Sequence, residues 1–210
     1  MDFEALFRPP EPPSLDVEPV IRPLTLGDGS KPAWIVDNLI EAAAVKPLHD
    51  WFLTLGYRFG DVDREDTSFM RHLVHYFDQE EYEGDTPVAS IVDTARSVVQ
   101  SLGLNADHLE RVYANFNLFG DQQFSHTDGD CWTALMFVNS SWSADWGGEL
   151  LIYEEGAGSV ALAVPPRPGR MVVFDGNLEH RGGSPNRFCL DARITVAVKF
   201  VRHDKSDARP

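Results

Sequence analysis

The stretch "FSHTDGDCWTALMFVNSSW" (124–142) sets a histidine and an aspartate two residues apart, His126 and Asp128, beside Gly129 and just ahead of a run that reads as a buried strand. Two ionisable side chains at the edge of a core are costly unless something binds them. On a β scaffold, residues two apart project to the same face, so His-x-Asp delivers an imidazole and a carboxylate to one cavity. A second imidazole from another strand would complete the two-histidine, one-carboxylate set that holds mononuclear iron(II) and leaves three positions open. His180, in "VVFDGNLEHRGG" (172–183), ends a downstream strand candidate and supplies that group. Taken alone, the triplet is better read as a turn, with Asp128 starting an Asx-turn before Gly129. The surrounding pattern has to decide.

Working outward, the region from residue 109 is β-rich. "ERVYANFNLFG" (110–120), "CWTALMFVN" (131–139), "GGELLIYEE" (147–155), "GSVALAVPP" (158–166), "GRMVVFDG" (169–176) and "DARITVAVKFV" (191–201) are short runs of β-branched and aromatic residues cut by Gly, Pro, Asp and Asn. Ahead of them, "AWIVDN" (33–38) reads as a first strand with Asp37 or Asn38 capping the next element. "LIEAAAVKPLHDWFLTLGY" (39–57) reads as a helix kinked or divided at Pro47. Thr86-Pro87 opens a second helix that Gly103 stops. Six strands behind two helices predict a sandwich or jelly roll buttressed by helices.

Composition narrows the function. A chain of 210 residues suits one domain with a real core. We read residues 1–32 as a proline-rich extended arm and 33–205 as one domain, with the jelly-roll core at about 109–202. No apolar run approaches the length of a membrane span, and the acidic, proline-rich start lacks the layout of a signal peptide. A net charge of −15 argues against nucleic-acid and anionic-membrane partners, which demand a basic face. Cys131 and Cys189 read as two buried thiols in a reducing cytoplasm, with a disulfide as the alternative.

The order of motifs after the triplet resembles the prolyl-hydroxylase branch of the 2-oxoglutarate and iron(II)-dependent dioxygenases. The resemblance spans roughly 109–201. "NLFGDQQFSHTD" (117–128) carries a glycine six residues ahead of the first ligand. "DGDCWTALMFVN" closes on Asn139, "WGGELLIY" (146–153) resembles the family's Gly-Gly turn, and "PRPGRMVVFDG" (166–176) its strand toward the distal histidine. "HRGGSPNRFCLDARITVAVKF" (180–200) resembles its final segment, where an arginine holds the co-substrate.

The resemblance implies an all-β core with flanking helices (α+β), a double-stranded β-helix or jelly roll. It implies Fe(II) held by His126, Asp128 and His180, with 2-oxoglutarate and O2 as co-substrates and ascorbate as a supporting reductant. Arg193 falls where the family's arginine belongs, and a planar fork suits a carboxylate. The structural alternative for Arg193 is a pair with Asp191. Thr195 faces the same side. A family tyrosine falls at Phe137, which lacks a hydroxyl, and another near Phe116 or Asn117; Asn117 or Tyr113 would compensate. Asp128 argues for oxygen insertion, since related halogenases replace that carboxylate with a small residue.

The implied activity is hydroxylation of an unactivated C–H bond with release of succinate. The compact chain tilts the substrate toward a small molecule, such as an amino acid or natural-product intermediate, with a peptidyl prolyl-type target as the alternative. The rival from another class is a non-catalytic cupin-like metal-binding or sensor protein. Oligomeric state has no signal. Residues 60–85 lack a clean period and read as a candidate lid, with His72 and His75 at helical spacing as surface or lid residues. Gly147-Gly148 reads as a tight hairpin or bulge. Trp132, Trp142 and Trp146 read equally as pocket lining or packing, Arg181 as substrate- or solvent-facing, and Cys131 as packing.

Overall fold

Alternation along the final strand organises the molecule. In β11 (Arg193–Val201), Ile194, Val196, Val198 and Phe200 enter the main apolar core, while Arg193, Thr195, Ala197 and Lys199 line a cavity on the opposite face. Both faces are covered, so the whole strand is buried up to its last residue, and period two alone sorts apolar from polar. The structure, a computed structural model, describes residues 18–24, 26, 31–121, 123–156 and 158–202. Most of the arm, residues 1–17, 25 and 27–30, lies outside the described residues.

The chain order before β11 is β1 (Val20–Leu24), β2 (Ala33–Asp37), α1 (Ala42–Leu53), β3 (Arg58–Asp61), β4 (His72–Tyr76), α2 (Gln79–Glu83), α3 (Pro87–Ser101) and β5 (Leu109–Asn117). It continues with β6 (Cys131–Phe137), β7 (Leu150–Tyr153), β8 (Val160–Val164), β9 (Met171–Asp175) and β10 (His180–Gly182). An eight-stranded antiparallel sheet runs β1-β2-β9-β6-β11-β5-β4-β3, and a three-stranded sheet runs β10-β7-β8. This is the expected β core with few helices, a jelly roll. The six strands read from 110 onward are β5 to β9 and β11.

One core lies between the large sheet and the helices, built from Val92, Val99, Ala134, Val173 and Val196 among others. α3 presents Val88, Ile91, Val92, Ala95, Val98 and Val99 to it, the stripe a buried helix face requires. Thr86 caps this helix by accepting from Ala89 N, Pro87 begins it, and Gly103 ends it at φ 76°. A second core, with Leu135, Phe137, Leu150, Ile152, Val172 and Phe174, fills the space between the two sheets.

Several expectations need correction. α1 runs through Pro47 as one helix, and its cap position is Glu41, with no side-chain bond. Asp37 does not cap it. Its buried carboxylate instead takes Arg170 through both oxygens (2.7 and 3.1 Å) and Arg22 at 2.6 Å, tying β1, β2 and the turn before β9 together. Part of the stretch 60–85 is built into the sheet rather than lying over it. β4 pairs with β5 and puts Val74 in the interior, so His72 and His75 sit on a strand, not a helix. The turn at 62–71 remains beside the site, with Phe69 77% exposed. From the arm, residues 20–24 form an exposed edge strand.

Candidate active site

His126 and Asp128 lie in the loop that enters β6, not within a strand, and His180 begins β10 rather than ending β9. Two backbone bonds join them: His126 N donates to His180 O and His180 N to His126 O, both at 2.9 Å. Asp128 N donates to Gly176 O at 2.7 Å. Gly176 has to lack a side chain here, because a Cβ would meet Gly129 O at 2.6 Å and Cys131 Sγ at 2.7 Å. The loop is thereby drawn onto the start of β10, and the ligating atoms of His126, Asp128 and His180 come within 4.8 Å of one another.

Both imidazoles are oriented for coordination. Nδ1 of His126 lies 3.0 Å from Phe124 O, and Nδ1 of His180 lies 2.8 Å from Leu178 O. A carbonyl only accepts, so each Nδ1 carries a proton and each Nε2 faces Asp128, at 3.7 and 3.6 Å. Burial pushes the His180 pKa down to about 4, leaving the neutral, ligating form at neutral pH. Burial also works against the Asp128 anion, but nearby His180 and Lys199 together with bonds from Lys199 and Thr133 hold it at about 2.

The opposite end of the cavity belongs to Arg193. Its Nε donates to Gly148 O at 2.6 Å and one terminal nitrogen to Asn117 Oδ1 at 3.2 Å. The guanidinium carbon lies 5.1 Å from the Phe137 ring centre, so the residue that lacks the family's hydroxyl supports the cation through its π face. Asp191 is not its partner; it lies near His49. Among the described residues no carboxylate is ion-paired with Arg193, and burial lowers its pKa to about 10, still charged at neutral pH. Its other terminal nitrogen, Thr195 Oγ1, Asn117 Nδ2 and Asn115 Oδ1 are buried without a hydrogen-bond partner. Such orphans are expensive unless a ligand completes them. A buried arginine with one unpaired nitrogen, beside a hydroxyl and an amide, fits the far carboxylate of 2-oxoglutarate.

Asn117 thus stands against Arg193, while Phe116 packs toward the helices. Tyr113 lines the cavity four residues along β5, about 13 Å away at ~3.3 Å per residue, where its ring meets Lys199 and Arg111. The cavity is about 130 Å³ and is walled by charged groups, including Asp61, Asp63, Arg111 and Lys199.

Sequence reasoning missed four participants. Lys199 meets Asp128 Oδ1 at 2.5 Å; it shares the face of Arg193 and Thr195, so the same alternation could have found it. Asp63 accepts from His72 Nε2 (2.9 Å) and Phe124 N (2.6 Å), and its other oxygen lies 3.5 Å from His126 Nδ1. Nothing in the sequence links these three segments. Thr133 donates to Asp128 at 2.6 Å. Gly148 does more than turn the chain: at φ 80° it offers its carbonyl to Arg193, and a Cβ would stand 3.1 Å from Arg193 Cδ. Trp142 and Trp146 pack on each other and Cys189, and Trp132 packs on Trp34, so all three are structural. Arg181 bonds the Gln123 carbonyl at 3.4 Å. Cys131 is a buried free thiol, as read.

A model of the 2OG-Fe(II) oxygenase superfamily matches residues 100–200. That match spans just under half of the chain, and with it the protein is read as an Fe(II)- and 2-oxoglutarate-dependent dioxygenase, an enzyme whose reaction also uses O2. No curated protein matches the sequence significantly. Among solved structures, the chain is similar to a Trichoplax adhaerens prolyl hydroxylase bound to a peptide of the hypoxia-inducible-factor oxygen degradation domain (TM-score 0.60, 14% identity, covering 81% of this chain and 83% of that one). It is also similar to a Pseudomonas putida prolyl-4-hydroxylase (0.58, 17%, 87% and 92%) and to a viral collagen prolyl hydroxylase of Paramecium bursaria Chlorella virus-1 in a 2-oxoglutarate complex (0.56, 15%, 80% and 94%). At these identities the likeness concerns the fold. Among the described residues no helix is long and apolar enough to cross a membrane.

Proposed function

We propose that the enzyme hydroxylates an unactivated C–H bond of a small, charged molecule, with His126, Asp128 and His180 holding Fe(II) and Arg193 holding 2-oxoglutarate. The observation that carries the site assignment is the pairing of two features in one cavity: a convergent two-histidine, one-carboxylate cluster, and an arginine whose free nitrogen is buried without a partner. When bound, the iron supplies oxygen activation coupled to decarboxylation of the co-substrate. The chain supplies everything around it. His126 and His180 are oriented by backbone carbonyls at Nδ1 so that Nε2 faces Asp128, and Asp128 is kept ionised. Arg193, with Thr195 and Asn117, orients the co-substrate's far carboxylate, and Tyr113 closes the wall between the two ends. Burial on both faces of β11 limits water.

The small-molecule reading rests on the lining of the cavity. A wall of acids and bases, including Asp61, Asp63, Arg111 and Lys199, suits a charged substrate such as an amino acid or a similarly sized natural-product intermediate. The second reading, a peptidyl prolyl-type substrate, is favoured by the resemblance to prolyl hydroxylases. Two assays separate the possibilities. Fe(II), ascorbate and 2-oxoglutarate should yield succinate with the wild-type chain and none with His126→Ala. A panel of amino acids and proline-containing peptides, read for the mass gain of one oxygen atom, then identifies the substrate class. Absence of succinate under all conditions would refute the activity of this site; oxidation of peptides alone would select the second reading.

A further inference from the structure

Lys199 is 1% exposed, and its ammonium lies 2.5 Å from Asp128 Oδ1. A buried lysine needs a counter-charge, and among the described residues the carboxylate ion-paired with it is the proposed iron ligand. Its other neighbours cannot replace Asp128. Strand register puts Thr133 opposite it on β6 and Arg111 opposite it on β5. Thr133 is neutral, and Arg111 is a like charge, a cross-strand arrangement that repels. The Tyr113 ring lies 5.4 Å from the ammonium, with Arg111 against the same ring. Both oxygens of Asp128 already have protein partners, Lys199 on one and Thr133 on the other. A divalent ion arriving at the three ligands therefore shares its one anionic ligand with a fixed ammonium.

We infer that Lys199 is the fixed counter-cation of Asp128, with which a divalent ion at the three ligands must share that carboxylate, and that it thereby holds the site's metal affinity down. The inference rests on the metal-centre reading of His126, Asp128 and His180. It differs in sign from the usual supporting role. Outer partners that merely orient a ligand cost about 10- to 100-fold in metal affinity when removed. Lys199 competes with the metal for charge, so its removal should raise affinity. The repulsion between an ammonium and a dication a few ångströms apart in a low-dielectric site corresponds to roughly tenfold or more.

The test is calorimetric titration of the full chain with Mn(II), a divalent probe insensitive to oxygen, alongside thermal melting with and without the ion. Wild type, K199Q, K199M, K199R and D128N are compared. The expected result is that K199Q and K199M bind Mn(II) at least about tenfold more tightly, melt lower than wild type when metal-free, and gain more on adding Mn(II). K199R should stay near wild type because it keeps the charge. K199Q retains a hydrogen-bond donor, so it decides the matter if K199M fails to fold. Equal or weaker Mn(II) binding by K199Q, with wild type binding normally, would overturn the inference alone. No Mn(II) binding by wild type and K199Q alike would overturn the metal centre with it.

Discussion

Replacing Arg193 with methionine separates the co-substrate site from the metal site. Methionine preserves much of the apolar stem that lies against Phe137 but removes the fork. In the free protein two bonds disappear, to Gly148 O and Asn117 Oδ1, and each newly unsatisfied acceptor costs about 1–3 kcal/mol. Against this, a buried cation without an ion-paired carboxylate is no longer desolvated, so the net change in folding stability should stay within about 2 kcal/mol. Binding behaves differently. Truncating one member of a buried, hydrogen-bonded charge pair costs about 2–5 kcal/mol. At about 1.4 kcal/mol per tenfold, 2-oxoglutarate affinity should fall by roughly thirtyfold to several thousandfold. Arg193→Lys should recover part of this, since a point charge cannot bond Gly148, Asn117 and a carboxylate together. Calorimetry with 2-oxoglutarate on the Mn(II)-loaded protein measures the loss, and urea unfolding of the metal-free form checks the fold. An Arg193→Met variant that binds 2-oxoglutarate within a few-fold of wild type would refute the assignment.

His126→Ala, Asp128→Ala and His180→Ala should each fold and each lose tight Mn(II) or Fe(II) binding, as read by calorimetry; full-affinity binding by all three would remove the metal centre. The Asp63–His72 pair predicts a pH-dependent stability term. Burial opposes charge on both, yet their mutual bond depresses the Asp63 pKa and raises that of His72. The Asp63 contribution is present above its unfolded value of about 3.8 and is lost as pH falls through the depressed one. The His72 contribution is full below about 6.5 and is lost as pH rises through the raised one. The stability deficit of Asp63→Asn against wild type should therefore be largest between about pH 4 and 6.5 and shrink at both ends, and a pH-independent deficit in urea unfolding would rule out the pair. Asp37→Ala strands the buried Arg170 and should cost about 3–5 kcal/mol in the same assay, whereas a loss below 1 kcal/mol would mean solvent reaches that pair.

Period-two alternation makes the β core legible in the sequence. "ARITVAVKF" names its own two faces, and the Gly, Pro and Asp breaks bound the strands from 110 onward. The same local logic found α3, because Thr86, Pro87 and Gly103 act within a turn of the helix ends. His126, Asp128, His180 and Arg193 could be nominated as candidate site residues because their spacing within ordered motifs is a sequence property, and the fold brings them to one cavity. Where contacts join distant segments, the sequence was silent or misleading. Asp37 looked like a helix cap until Arg170, 133 residues away along the chain, claimed its carboxylate. Residues 60–85 looked like a lid because β4 is short and its buried partner strand begins only at Leu109. Asp63 and His72 reach the site through a pairing that no local pattern encodes. Lys199 was on the right face by arithmetic, but only the folded loop brings Asp128 within 2.5 Å of it. Backbone geometry repeats along a chain and so prints itself on the sequence; the meeting of two charges across a cavity depends on loop closure and packing, which only the assembled core decides.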